Sequence, residues 1–178
     1  MAASRQSARV GAIGMLLLAL GAATPTAAAG NLGTGQQSGL PLPRFVSLKA
    51  DRVNVRAGPT RAHEVNWVYK RAGLPVEVTA EYENWRRIRD WEGSEGWVYH
   101  SLLSGRRTAI AMPKDKEDLV PVHDAPKADS RVTARLQSGV LASVRRCGGT
   151  WCYVVGDKFD GWIEQRRVWG AYPNEKFD

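Results

Sequence analysis

Cysteine, histidine and long apolar runs are scarce in this sequence: 178 residues hold two cysteines and three histidines. Two thiols are too few for a structural zinc site, and His63, His100 and His123 are too scattered to supply the missing ligands. Cys147 and Cys152 also lack the C-x-x-C spacing at a helix N-terminus that lowers a thiol pKa. No metal or other cofactor is expected. None of the histidines sits in a nucleophile motif and no paired acid and base recurs along the chain, so no catalytic residue is assigned and no enzyme activity is expected. From Phe45 onward, apolar residues at helical spacing are never sustained for three turns, which argues against a helical fold.

The one extended apolar run, Val10 to Ala23, follows Arg5 and Arg9 and precedes the small-residue site Ala27-Ala-Ala29. That is the layout of a secretory signal peptide, residues 1–29, cleaved after Ala29; the run falls short of the ~20 residues of a membrane span. Cleavage leaves an exported protein, periplasmic or extracellular, with no transmembrane segment. No cysteine lies near the site, so no lipid anchor is expected. Loss of Arg5 and Arg9 leaves 23 of the 25 Lys and Arg against 18 Asp and Glu, and the formal charge goes from +7 to +5. Outside the cytoplasm, a mildly basic surface meets membranes, wall polymers and proteins, and nucleic acid is not expected as a partner.

Residues 30–44, rich in Gly, Gln, Ser and Pro, read as a flexible linker. Beyond it come strand-length runs cut by turn residues about every ten positions, the pattern of an all-β chain. In residues 76–79 the alternation puts Val76 and Val78 on one face and Glu77 and Thr79 on the other, as in a half-buried antiparallel strand. The runs then repeat. Val53-Asn-Val55 and Gly58-Pro59 are answered 67 residues later by Val120-Pro-Val122 and Ala125-Pro126. Gly73 to Val78 is answered by Gly139 to Val144, and Trp85 to Ile88 by Trp151 to Val154, at an offset of 66. Gly96-Trp97-Val98 is answered by Gly161-Trp162-Ile163 at 65. Five elements in one order mark a duplication. The boundary falls near Gly105, giving units at 45–105 and 106–170 and a C-terminal tail at 171–178.

The element order, carried by Val53-Asn-Val-Arg-Ala-Gly-Pro59, the Gly73 turn, Asn84-Trp-Arg-Arg-Ile88 and Glu95-Gly-Trp-Val98, resembles the bacterial SH3-like domain family. The resemblance implies two tandem small SH3-like barrels, the second divergent because Val120-Pro-Val-His-Asp-Ala-Pro126 lacks the usual Asn, Arg and Gly. It also implies cell-wall peptidoglycan as the ligand and a place for Trp85 in the ligand groove.

The residues themselves say more about the cysteines and tryptophans. Cys147 and Cys152 sit on the two arms of a hairpin closed by Gly-Gly-Thr-Trp, about 5 Å apart between Cα atoms, within reach of a disulfide. The first unit has Glu81 and Arg86 in the matching places, so one unit has an ion-pair option where the other has a covalent staple. Trp97 and Trp162 follow bend glycines and read as core packing. Trp85 and Trp151 are out of phase with inward Ile88 and Val154 and read as outward-facing. Trp85, Arg87, Arg89, Tyr69 and Tyr99 form the expected ligand-binding set. Trp85 and Tyr69, with Trp91 or Trp169, could instead fill an interface between the repeats, and an envelope protein–protein adaptor or structural subunit is the alternative function. The leader reading predicts that protein recovered from the producing cell begins at Gly30; N-terminal sequencing that finds Met1 retained would refute it.

Overall fold

The computed structural model describes residues 33–115 and 118–178; the expected leader at 1–29 lies outside them. No helix among the described residues is long and apolar enough to cross a membrane. The chain is all-β. The first unit runs through strands β1 (Gly33–Thr34), β2 (Pro41–Leu42), β3 (Arg44–Leu48), β4 (Val53–Arg56), β5 (Val65–Tyr69), β6 (Pro75–Tyr82), β7 (Trp85–Arg89), β8 (Glu95–Tyr99) and β9 (Leu103–Ser104). The second runs through β10 (Thr108–Ala111), β11 (Val120–His123), β12 (Val132–Leu136), β13 (Leu141–Gly148), β14 (Trp151–Val155), β15 (Asp160–Glu164), β16 (Val168–Trp169) and β17 (Lys176–Phe177).

The duplication is visible in the strand order. The first sheet reads β5-β4-β8-β7-β6-β3-β9 and the second β12-β11-β15-β14-β13-β10-β16, the same path strand for strand, with β17 added beside β13. In each unit a 3₁₀ turn, His100–Leu102 or Gln165–Arg167, separates the last two strands of that path in sequence. Alternation builds both cores: Val53, Val55, Val76, Val78, Ile88 and Val98 are fully buried in the first, and Val120, Val122, Val154 and Ile163 in the second. The predicted staple is formed, with Cys147 and Cys152 paired across β13 and β14 and their Cα atoms 4.1 Å apart. At the equivalent pair, Glu81 opposes Arg86 and the two form an ion pair at 3.3 Å.

Several expectations are overturned. The segment 30–44 is not a structureless linker where it is described: β1 and β2 form a hairpin, and Arg44 begins β3. Its turn is held by the Glu81 carboxylate, which accepts the backbone N–H groups of Gln37 (3.1 Å) and Ser38 (3.0 Å) and the Ser38 hydroxyl (2.6 Å). A polar sequence with no apolar period gains its order from that one buried acid. Trp97 and Trp162 are not core residues. Gly96 and Gly161 themselves take the inward positions, where a Cβ would press on Val55 or on Val122 and His123; Val98 and Ile163 are the next inward residues and the tryptophans between them face outward, half-buried. Trp85 does lie outside the core cluster of Ile88, as its parity requires, yet it is only 8% exposed.

Glu77 is also buried instead of solvated, because the second unit covers that face of β6. The Tyr172 hydroxyl donates to Glu77 Oε1 at 2.8 Å and Arg89 Nε donates to Oε2 at 2.8 Å. Phe45 packs between Trp169 (5.0 Å between centroids) and Tyr172 (4.6 Å). Ile110 of β10, 1% exposed, is a member of the first unit's core, with Met112, Leu141 and Trp169 packed against it. The Ser47 hydroxyl donates to Arg106 O (2.9 Å) and the Thr108 hydroxyl to Gly73 O (2.7 Å). The tail at 171–178 is part of the fold: Arg107 forks onto Glu175 at 2.8 and 2.9 Å and lies 4.2 Å from the Phe177 ring.

Two expected outcomes follow from this packing. Burial raises the Glu81 pKa, but the Ser38 hydroxyl and amide together with Arg44 and Arg86 outweigh it and hold the group at about 2, below its ordinary 4.5. A folded-state value below the unfolded one means that Glu81 stabilises fully above about pH 4.5 and that this contribution, of order ~3 kcal/mol, is lost as pH falls toward 2. Glu81→Gln should therefore lower the denaturant midpoint at pH 7, and the gap from the parent should close in acid; an equal gap at both ends contradicts the assignment. Trp85→Ala should cost ~3–5 kcal/mol as a buried aromatic truncation, and half-exposed Trp97→Ala only ~1–2 kcal/mol. Equilibrium denaturation of both variants checks the order, and a larger loss at Trp97 reverses the reading.

Candidate functional site

In β4, Val53 and Val55 point into the core, so Asn54 and Arg56 point out. The loop that follows folds back on itself: the Arg56 guanidinium donates to His63 O at 2.6 Å, Ala57 N donates to Glu64 O at 3.0 Å, and the His63 ring lies over Gly58, where a Cβ would displace it. This returns Arg61 toward the sheet, 6.0 Å from the Tyr99 ring centroid. Trp85 opens β7 directly across from Tyr99 on β8, and the two rings meet edge to face at 5.4 Å. A bond from His100 N to Asn84 O (2.8 Å) ties the 3₁₀ turn to the β6–β7 turn and sets Ser101 and Leu102 below the rings.

Together these residues enclose an open cleft of about 420 Å³. Its lining carries two guanidinium groups, an aromatic pair, a carboxamide and two hydroxyls, with no carboxylate and no histidine. Such a surface can hold an anionic or carbonyl oxygen by charge-assisted hydrogen bonds and an apolar group against the rings. Among the described residues, no group of three or more His, Cys, Asp and Glu is placed to hold a metal ion.

The five residues expected at the site do not converge as a set. Trp85 and Tyr99 share the cleft. Arg87 stands on the same outer face but is paired with Glu95 at 2.6 Å. Arg89 is spent on Glu77, whose hydrogen bond and charge push the guanidinium pKa up. Tyr69 is buried and donates to Asp90 at 2.7 Å; burial first, then that bond, raises its ionisation well above the usual range. Asn54, Arg56, Arg61 and Ser101 take the places of these three. Asn54 and Arg56 were legible as the outward partners of Val53 and Val55, whereas Arg61 and Ser101 arrive by loop geometry that no spacing in the sequence encodes.

The equivalent corner of the second unit carries different side chains. Pro121, His123 and Glu164 stand where Asn54, Arg56 and Tyr99 stand in the first. The His123 ring, 5% exposed, packs edge to face on Trp151 at 5.2 Å and its Nδ1 lies 3.1 Å from Ser130 O.

No curated protein matches the chain at the level of sequence. Among solved structures it is similar to NlpC1 and NlpC2 from Trichomonas vaginalis, each 8% identical, with TM-scores of 0.32 and 0.31. The alignments cover 77% and 71% of this chain and 48% of each of the others, so the chain spans about half the length of the structures it matches. The model of the bacterial SH3 domain matches twice, over residues 49–105 and 116–170, one match on each sheet. With most of its length accounted for by these two copies, the chain belongs to the bacterial SH3 domain family.

Proposed function

We propose that the protein is an exported, non-enzymatic binding module that holds cell-wall peptidoglycan in the cleft of its first unit, by the carboxylates and methyl groups of the wall peptide. The observation that carries this is the joining of Arg56 and Arg61 to the Trp85–Tyr99 pair in one open cleft without a carboxylate, at a corner that His123 closes in the second unit. The arginines meet the carboxylates, the rings meet the methyl groups, and Asn54 faces the peptide backbone. Family membership supports a wall ligand. The disulfide suits an oxidising compartment outside the cytoplasm. The cleft offers Ser101 no histidine or carboxylate to act as its base, which favours binding over hydrolysis.

The test is co-sedimentation of the full mature chain with purified wall sacculi. Arg61→Ala and Tyr99→Ala should each weaken capture by about tenfold or more, the loss of a hot-spot contact. Arg61 is exposed, so its variant should keep the parent's denaturant midpoint. Parent-like capture by both folded variants would overturn the reading, as would capture of envelope proteins in place of sacculi.

A further inference from the structure

We propose that the second unit holds one pyranose ring of a neutral glycan in a cleft beside Gly161, in the space that Trp67 fills in the first unit. In the first unit Trp67 lies opposite Val55 in the β4–β5 ladder, packs on the core and brings its ring against the bare backbone of Gly96. In the second, the same register places Ala134 opposite Val122, and Gly161 stands where Gly96 stands. The indole is reduced to a methyl group. What it leaves is an open cleft of about 340 Å³ beside Ala134 and Gly161, at the small end of the ~300–1,000 Å³ of ligand sites.

Two half-buried rings, Tyr153 and Phe159, wall this cleft. Phe159 is folded over Gly156, where a Cβ would collide with its ring, and Gly156 N donates to Phe159 O at 2.8 Å. The Tyr153 hydroxyl donates to Asp160 Oδ2, from β14 to the start of β15. Both rings are thus positioned before any ligand arrives. The rim is formed by Asp124, Thr133, Lys158 and Asp160, all exposed, so a ligand in the cleft reaches them. Asp160 engages Tyr153, and Asp124 engages Arg131 at 3.3 Å, each through Oδ2. Oδ1 of each remains to accept a hydroxyl. Thr133 donates its hydroxyl to Val122 O at 3.2 Å and keeps its lone pairs for a donor, while the Lys158 ammonium donates.

The ligand that matches is a flat ring edged with hydroxyls. A pyranose lays its C–H faces on the two rings and turns its hydroxyls to the carboxylates and the ammonium, in charge-assisted hydrogen bonds. A purely apolar ring would take water from these ions and return no hydrogen bond. The charges balance: Asp124 and Asp160 are matched by Lys158 and Arg131, and Asp157, next to Lys158, by Arg146, 5.9 Å from the Tyr153 ring. An ion of either sign finds no net attraction here, whereas hydroxyls, which both donate and accept, satisfy both kinds of group at once. The site shares no residue with the Trp85 cleft and does not rest on what that cleft holds.

The probe is the uncharged tetrasaccharide of β-1,4-linked N-acetylglucosamine, titrated into the isotope-labelled full mature chain and followed by NMR. The backbone amides of Ala134, Lys158 and Gly161 should shift together and saturate at millimolar sugar. Ala134→Trp restores the side chain that the same fold carries at Trp67, so it should keep the unit folded while weakening binding tenfold or more. Lys158→Ala removes one exposed donor; it should keep the parent's denaturant midpoint and bind about tenfold more weakly, one charge-assisted hydrogen bond's worth. Arg61→Ala, altered only in the first cleft, should bind the tetrasaccharide as the parent does, so that failure of either site is read separately. Shifts that never saturate, parent-like affinity in either Ala134→Trp or Lys158→Ala, or p-cresol binding as tightly as the tetrasaccharide would each overturn the proposal.

Discussion

Phe45, at the start of β3, packs against Trp169 and Tyr172, and this joint between the halves supports much of the structure. A unit of about 60 residues buries too little of its own surface to be secure alone. Here each half completes the other. Ile110 leaves its own sheet's interior to fill the core of the first unit, and the Tyr172 hydroxyl reaches Glu77 on β6. Glu77 is acceptable inside the joint because Tyr172 and Arg89 satisfy both of its oxygens; a buried carboxylate with either partner missing would work against the fold. The same demand explains why Arg89 is not available to a ligand and why the C-terminal residues are ordered.

How much of this was legible in the sequence depends on the range of the interaction. The strands, their repetition and the Cys147–Cys152 hairpin follow from alternation and turn chemistry, which are local, and the structure has them. The hairpin at 33–42 was not legible, because its order comes from Glu81, more than forty residues away in sequence, and nothing in Gly-Thr-Gly-Gln-Gln-Ser announces a partner. Glu77 and Tyr69 failed for a related reason: alternation assigns a face to a side chain but cannot say whether a second unit, or an acid such as Asp90, covers that face.

The tryptophans show the same limit from the other side. Parity correctly set Trp85 apart from Ile88, but a side chain facing away from the core can still be buried if the neighbouring strand supplies an aromatic, as Tyr99 does. Taking Gly96 as a hinge in front of an inward residue puts Trp97 in the core. Gly96 is itself the inward residue, reduced to a hydrogen because Val55 and Trp67 press on it. The bulk of a tryptophan is a weaker guide to the interior than the position of the glycine beside it.

Duplication gave both units the same strand path and left their corners free to differ. In the first unit Asn54, Arg56 and Tyr99 keep the corner beside Trp85 open and positive. In the second, Pro121 removes a donor, His123 folds onto Trp151, and Glu164 replaces the phenol with a carboxylate that its own arginines neutralise. Burial of Glu164 works against its charge, but the hydrogen bond from Arg166 is the larger effect and its pKa is lowered, so the ion pair persists at neutral pH. A corner whose arginines face an open cleft in one copy has become, in the other, a corner whose charges are internally paired. The C-terminal segment then lies beside that corner, drawn there by the Gln165 amide. The two copies, alike in fold, therefore differ at equivalent corners: cations beside an aromatic pair in the first, internally paired charges in the second.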